Sequence, residues 1–110
     1  MRLEAFITEN RADMLQALTG IVEDLKDTMS ADPAEYTDPY ADDATPCIDV
    51  RLCVDVADTG KRAGLIGGNW VFRTGLVDFD PRHSQYCGAS SVSPDTDAED
   101  LLEDLLSQLD

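Results

Sequence analysis

Cations are scarce in this chain: eight Lys and Arg stand against 23 Asp and Glu, only Lys26 and Lys61 are lysines, and there is one histidine, His83. Binding to nucleic-acid phosphates rests on clustered Lys and Arg, so direct nucleic-acid binding is excluded as an expectation. With a single imidazole, general acid–base chemistry would fall to carboxylates, which are too abundant here to mark a site without a pocket. No run approaches the ~18 consecutive apolar residues that a spanning helix needs. The opening Met1-Arg-Leu-Glu-Ala-Phe-Ile-Thr has neither the apolar core nor the small-residue cleavage site of a secretory signal, so a cytoplasmic protein that avoids membranes is expected.

Cysteine is sparse and odd in number, with Cys47, Cys53 and Cys87. An odd count argues against a secreted disulfide framework, and no Cys-x-x-Cys motif is present. On one strand, Cys47 and Cys53 would stand about 20 Å apart, too far for a bridge or a shared metal. Reduced, structural thiols are the expectation. At 110 residues, 43% of them apolar, the chain has material for one domain with one core, 1–110.

Acid is abundant and unevenly placed. Residues 31–50 carry Asp32, Glu35, Asp38, Asp42, Asp43 and Asp49, and residues 91–110 carry Asp95, Asp97, Glu99, Asp100, Glu103, Asp104 and Asp110, both without a Lys or Arg. These stretches supply 13 of the 15 net negative charges, while residues 51–90 come out at +1. Concentrated charge of one sign steers partners of the other, which points to a basic protein surface.

The apolar pattern changes period along the chain. Met14, Leu15, Leu18, Ile21, Val22, Leu25 and Met29 recur at helical intervals, predicting a helix from Asn10 to Met29 with Asn10 as N-cap, or Thr8 as the alternative. Gly20 in its middle costs about 1 kcal/mol against Ala and suggests a bend or a close backbone approach. Residues 31–46, with Pro33, Pro39 and Pro46 among their acids, read as an acidic loop. Ile48, Val50, Leu52, Val54 and Val56 then alternate with polar residues and Cys53, predicting a strand with its even face in the core. A second strand falls within 63–75, where the glycines at 64, 67 and 68 suggest a bulge or turn, and a third within Ser84–Val92, where Gly88 weakens the pattern. Thr96-Asp97-Ala98-Glu99 reads as a capping box, with Leu101, Leu102, Leu105, Leu106 and Leu109 on one face of a helix from about Asp97 to Leu109. The order predicts an α+β domain: N-terminal helix, three-stranded and mostly antiparallel sheet, C-terminal helix.

Few residues form a chemical constellation. Glycines 60, 64, 67 and 68 match neither phosphate-loop pattern. Asp78, Asp80 and His83 are the one compact set of metal-ligand types, and a turn around Pro81 offers only part of a tetrahedral set, so no metal and no cofactor is expected. His83 beside Ser84 is poorly placed as base and nucleophile, and no catalytic signature is present, so the chain is read as a binding protein rather than an enzyme. Trp70 and Phe72, two apart, share a strand face and are assigned to the core; exposed, they would instead anchor a partner.

Asp97, Glu99, Asp100, Glu103, Asp104 and Asp110 place six charges over about 21 Å of helix, about 3.5 Å per charge, close to the 3.4 Å per phosphate of a DNA strand. Asp38, Asp42, Asp43, Asp97, Asp100, Glu103 and Asp104 are therefore the candidate partner-binding residues. The second half, Trp70-Val71-Phe72-Arg73-Thr74-Gly75, Asp78, Tyr86-Cys87-Gly88-Ala89-Ser90-Ser91-Val92 and the acidic Leu-rich helix, resembles small, functionally unassigned proteins of phages and mobile elements. That resemblance implies no activity; it implies an accessory or counter-defence role, such as anti-CRISPR or anti-restriction, in a host cytoplasm. The expected function is a nucleic-acid mimic that blocks a basic, nucleic-acid-binding protein. The alternative is a housekeeping protein whose Asp-rich surface is adapted to salt, and a carboxylate enzyme ranks last. The Leu face 101–109 is open to two uses, packing on its own sheet or forming a homodimer.

Overall fold

The computed structural model describes residues 2–37, 40, 45–58, 66–75 and 86–109. Helix α1 spans Arg2–Ala31, a 3₁₀ turn follows at Pro33–Tyr36, and the strands are β1 (Ile48–Asp58), β2 (Ile66–Thr74) and β3 (Tyr86–Val92), followed by α2 (Ala98–Ser107). The expected α+β architecture is present. The sheet is fully antiparallel in the order β2-β1-β3, so the strand with the clearest alternation is central.

The even face of β1 builds the core. Ile48, Val50, Leu52 and Val54 are all buried there, together with Met14, Leu18, Val22, Leu25 and Met29 of α1 and Leu101, Leu102 and Leu105 of α2. Trp70 stands opposite Val54 and Phe72 opposite Leu52, so both rings fall on this face. They are half-buried against the core and meet edge to face with centroids 5.7 Å apart. Both helices therefore cover one side of the sheet, and the odd face of β1 (Asp49, Arg51, Cys53, Asp55) looks the other way.

The first helix begins eight residues earlier than its pattern predicts. Leu3 and Phe6 are buried and extend the apolar stripe, but Asn10 interrupts it. Asn10 is not an N-cap: its Nδ2 donates to the Phe6 carbonyl within the helix at 2.9 Å, and its Oδ1 accepts the Trp70 indole N–H at 3.3 Å. A polar residue on an apolar stripe thus serves as the tie between α1 and β2. Gly20 is exposed, with nothing near the position of a Cβ, so no close approach explains it. The helix ends where Pro33 follows, since proline cannot continue the backbone hydrogen-bond ladder.

Gly68, read as part of a bulge or turn, and Gly88, read as weakening its strand, have a different role. The register of β2 runs unbroken from Ile66 to Thr74, without a bulge. A Cβ on Gly68 would stand 2.4 Å from the Asp55 carbonyl oxygen and 2.8 Å from the Phe6 ring, and one on Gly88 would stand 2.5 Å from the Leu105 carbonyl oxygen. Gly68 and Gly88 are the seats on which α1 and α2 rest. At the far edge of β3, Gln108 Oε1 accepts the outward Ala89 N–H at 3.0 Å, which blunts an otherwise open strand edge.

The second helix is capped by Asp97 rather than Thr96. The Asp97 carboxylate accepts the Glu99 N–H at 3.1 Å, while Thr96 Oγ1 accepts the Ser93 N–H at 2.8 Å and so closes the preceding turn. The Leu face of α2 is spent inside the chain: Leu101, Leu102, Leu105 and Leu109 are buried. Of the two uses open to that face, packing within the chain is the one observed, and a homodimer through it has no support.

Gly88→Val and Ala89→Val test this arrangement at adjacent positions on opposite faces. The first forces α2 off β3 and should cost about 1–3 kcal/mol or more, whereas Ala89 is exposed and its replacement should change stability by no more than about 0.5 kcal/mol. Equal shifts in urea midpoint would contradict the seating of α2.

Candidate protein-interaction surface

The acidic groups of α2 follow from its amphipathic sequence. With leucines at 101, 102 and 105 turned inward, Glu99, Asp100, Glu103 and Asp104 are exposed. They do not form one uniform row. Asp97 is engaged as the N-cap, and Glu103 forms a salt bridge with Arg11 of α1 across two partly exposed side chains. Asp104 lies beside Gln108, whose Nε2 is 3.5 Å from its carboxylate and 3.3 Å from its carbonyl oxygen. Among the described residues, Glu99 at the start of the helix and Asp100 one residue on carry no such duty.

The helix is also shorter than the charge-spacing argument assumed. Gln108 and Leu109 donate three residues back, to the Leu105 and Leu106 carbonyls, which tightens and ends the coil after Ser107. Ten helical residues span about 15 Å, and Asp110 lies outside the described residues. Asp38, Asp42 and Asp43 of the acidic loop also lie outside them, as do Asp78, Asp80 and His83. Among the described residues no group of three or more His, Cys, Asp or Glu is gathered so as to hold a metal ion.

The acid on α1 was not singled out by charge counting, because Arg2, Arg11 and Lys26 offset half of it in the sequence. At 100° per residue, Glu9, Asp13, Glu23, Asp24 and Asp27 fall within about 100° of arc on the side opposite Met14, Leu18, Val22, Leu25 and Met29. All five are exposed. Helical periodicity applied to the charges, rather than to the apolar residues alone, would have found them. Since α1 and α2 cover the same side of the sheet, the acids of both helices belong to one layer. Between them, Leu15, Thr19, Val22 and Lys26 face Thr96–Glu99 across a shallow, open groove of about 300 Å³.

No family model, curated protein or solved structure matches this chain. Among the described residues, no helix is long and apolar enough to cross a membrane.

The two duties found on α2 can be measured separately. Asp97→Ala should cost about 1 kcal/mol of stability through the lost cap. The Arg11–Glu103 pair, with side chains 39% and 57% exposed, should give a coupling of no more than about 0.5 kcal/mol in a double-mutant cycle, and that coupling should shrink as salt rises. A coupling that persists in molar salt would contradict a solvent-screened pair.

Proposed function

We propose that this chain is an acidic protein-interaction module that occupies a basic surface of a nucleic-acid-binding protein and so competes with nucleic acid for it. One observation carries the reading: the exposed acids of α1 and α2 stand on a single helical layer whose opposite side is held by the sheet. A rigid layer of this kind keeps its charges in place before a partner arrives, so little ordering entropy is lost on binding. Long-range attraction then acts chiefly on the association rate. The resemblance of the second half to small phage proteins adds the role of inhibitor, directed at defence machinery that binds nucleic acid. Asp38, Asp42 and Asp43 join Asp100 and Asp104 in the proposed contact set by their charge.

The variant that tests this reading spares Asp97, which caps the helix, and Glu103, which pairs with Arg11, while Asn at 104 keeps a side-chain oxygen for Gln108. Glu99→Gln, Asp100→Asn and Asp104→Asn together should leave the fold intact. A partner recovered from host lysate at low salt should be basic, should be displaced by duplex DNA or heparin, and should associate about tenfold more slowly with the triple variant. Association at the wild-type rate, or a partner without a basic face, would overturn the proposal.

A second reading, adaptation to salt, is favoured by the acids of α1, which extend the charge beyond the two acidic segments of the sequence. It predicts that near-UV circular dichroism is lost in low-salt buffer and regained in molar salt as self-repulsion is screened. A full native spectrum at low ionic strength would remove it.

A further inference from the structure

The side of the sheet away from the helices brings together two cysteines that the sequence separates by 34 positions. Cys53 of β1 stands directly opposite Cys87 of β3, and their sulfurs are 3.9 Å apart. The ladder phase places them at a favourable position for a covalent bond. Gly75 N–H donates to the Asp49 carbonyl at 2.8 Å, one step beyond the Val50–Thr74 pair. Odd residues of β1 therefore bond to β2 and even ones to β3, because backbone groups alternate in direction along a strand. The Ala89 N–H agrees, since it points away from β1 to Gln108. Cys53 and Cys87 thus form a non-hydrogen-bonded pair, in which opposing Cα atoms lie about 4.5 Å apart, at the near end of the 4.4–6.8 Å range that disulfides span.

The two thiols differ in access. Cys87 is exposed on the edge strand, whereas Cys53 is 6% exposed on the central strand, between Val71 on one side and Cys87 on the other. Their neighbouring rows on this face are Arg73, Arg51 and Ala89 on one side and Asn69 and Asp55 on the other, and the approach to Cys87 lies on the side of the sheet away from the acidic helical layer. Cys47 precedes β1, six residues from Cys53 along the chain, and takes no part in this pair.

We propose that Cys53 and Cys87 are a thiol–disulfide redox site whose co-reactant is a low-molecular-weight disulfide of the glutathione type. The Cys87 thiol loses its proton to solvent and its sulfur attacks one sulfur of the small disulfide, forming a mixed disulfide and expelling one small thiolate. The Cys53 sulfur, deprotonated in turn, attacks the Cys87 sulfur; the Cys53–Cys87 bond forms and the second small thiolate leaves. The two released protons end on the two small thiolates, so two protein thiols are oxidised and one small disulfide is reduced to two thiols. The sulfurs close from 3.9 Å to about 2.05 Å by side-chain rotation. The product ties the edge strand that carries α2, through Gly88 and Leu105, to the centre of the sheet.

The test uses the folded full chain with oxidised glutathione. The Cys47→Ser chain, which removes the third and exposed thiol, should fall from two titratable thiols to none, with loss of two hydrogens, no retained glutathione, and a peptide map that joins the Cys53 and Cys87 peptides; dithiothreitol should restore both. On the same background Cys53→Ser should instead retain one glutathione on Cys87, and Cys87→Ser should leave Cys53 unreacted. If both thiols of the folded Cys47→Ser chain persist, or glutathione accumulates on Cys87 while Cys53 is present, the assignment is wrong.

Discussion

The burial of one face of β1 beneath both helices is the constraint on which the rest of the molecule depends. Val50, Leu52 and Val54 have almost no exposed surface, and the stripes of α1 and α2 close over them. Each fully buried aliphatic side chain contributes about 1.5–3 kcal/mol relative to exposure. A strand of period two has no freedom once that face is chosen: shifting the register by one residue would put Asp49, Arg51 and Asp55 into the core. Gly68 and Gly88 serve the same constraint, because a Cβ there would meet the Phe6 ring and the Leu105 carbonyl of the helices that lie over β1.

Sidedness follows. Having turned their leucines and methionines toward β1, the helices present Glu9, Asp13, Glu23, Asp24, Asp27, Glu99, Asp100 and Asp104 outward. The uncovered face carries Arg51, Arg73, Cys53 and Cys87, with Asp49 and Asp55 beside them. An acidic layer and a face with thiols and arginines are thus separated by the thickness of one sheet, and each can be altered without disturbing the other's chemistry. Salt bridging is subordinate to this division. The Arg11–Glu103 contact joins the two helices at the surface, where screening limits what it adds.

Features governed by local periodicity were legible in the sequence: β1 and its buried face, the leucine stripe of α2, and the α+β order. The start of α1 was not, because Asn10 breaks the stripe between Phe6 and Met14, and its bond to Trp70 is a contact across 60 residues that no local pattern encodes. The cap was misplaced by one residue since Thr96 and Asp97 are both good caps, and the turn from Ser93 decides between them. Among the residues proposed to meet a partner, charge alone singled out Asp97 and Glu103 together with Asp100 and Asp104, but the Glu103 pairing with Arg11 depends on a tertiary neighbour and the Asp97 cap on where the helix begins. The Cys53–Cys87 juxtaposition was hidden for the same reason: it requires the register of β3, whose own sequence alternates little.

Methyl NOE spectroscopy tests the central claim, that both helices cover the even face of β1 and leave the odd face open. In protein labelled at Leu, Val and Met methyl groups, Leu52 and Val54 should show cross-peaks to Met14 or Leu18 and to Leu102 or Leu105, while Val71, which is 42% exposed on the other face, should show none to either helix. Cross-peaks from Val71 to the leucines of α2 would place that helix on the opposite side of the sheet and contradict the account.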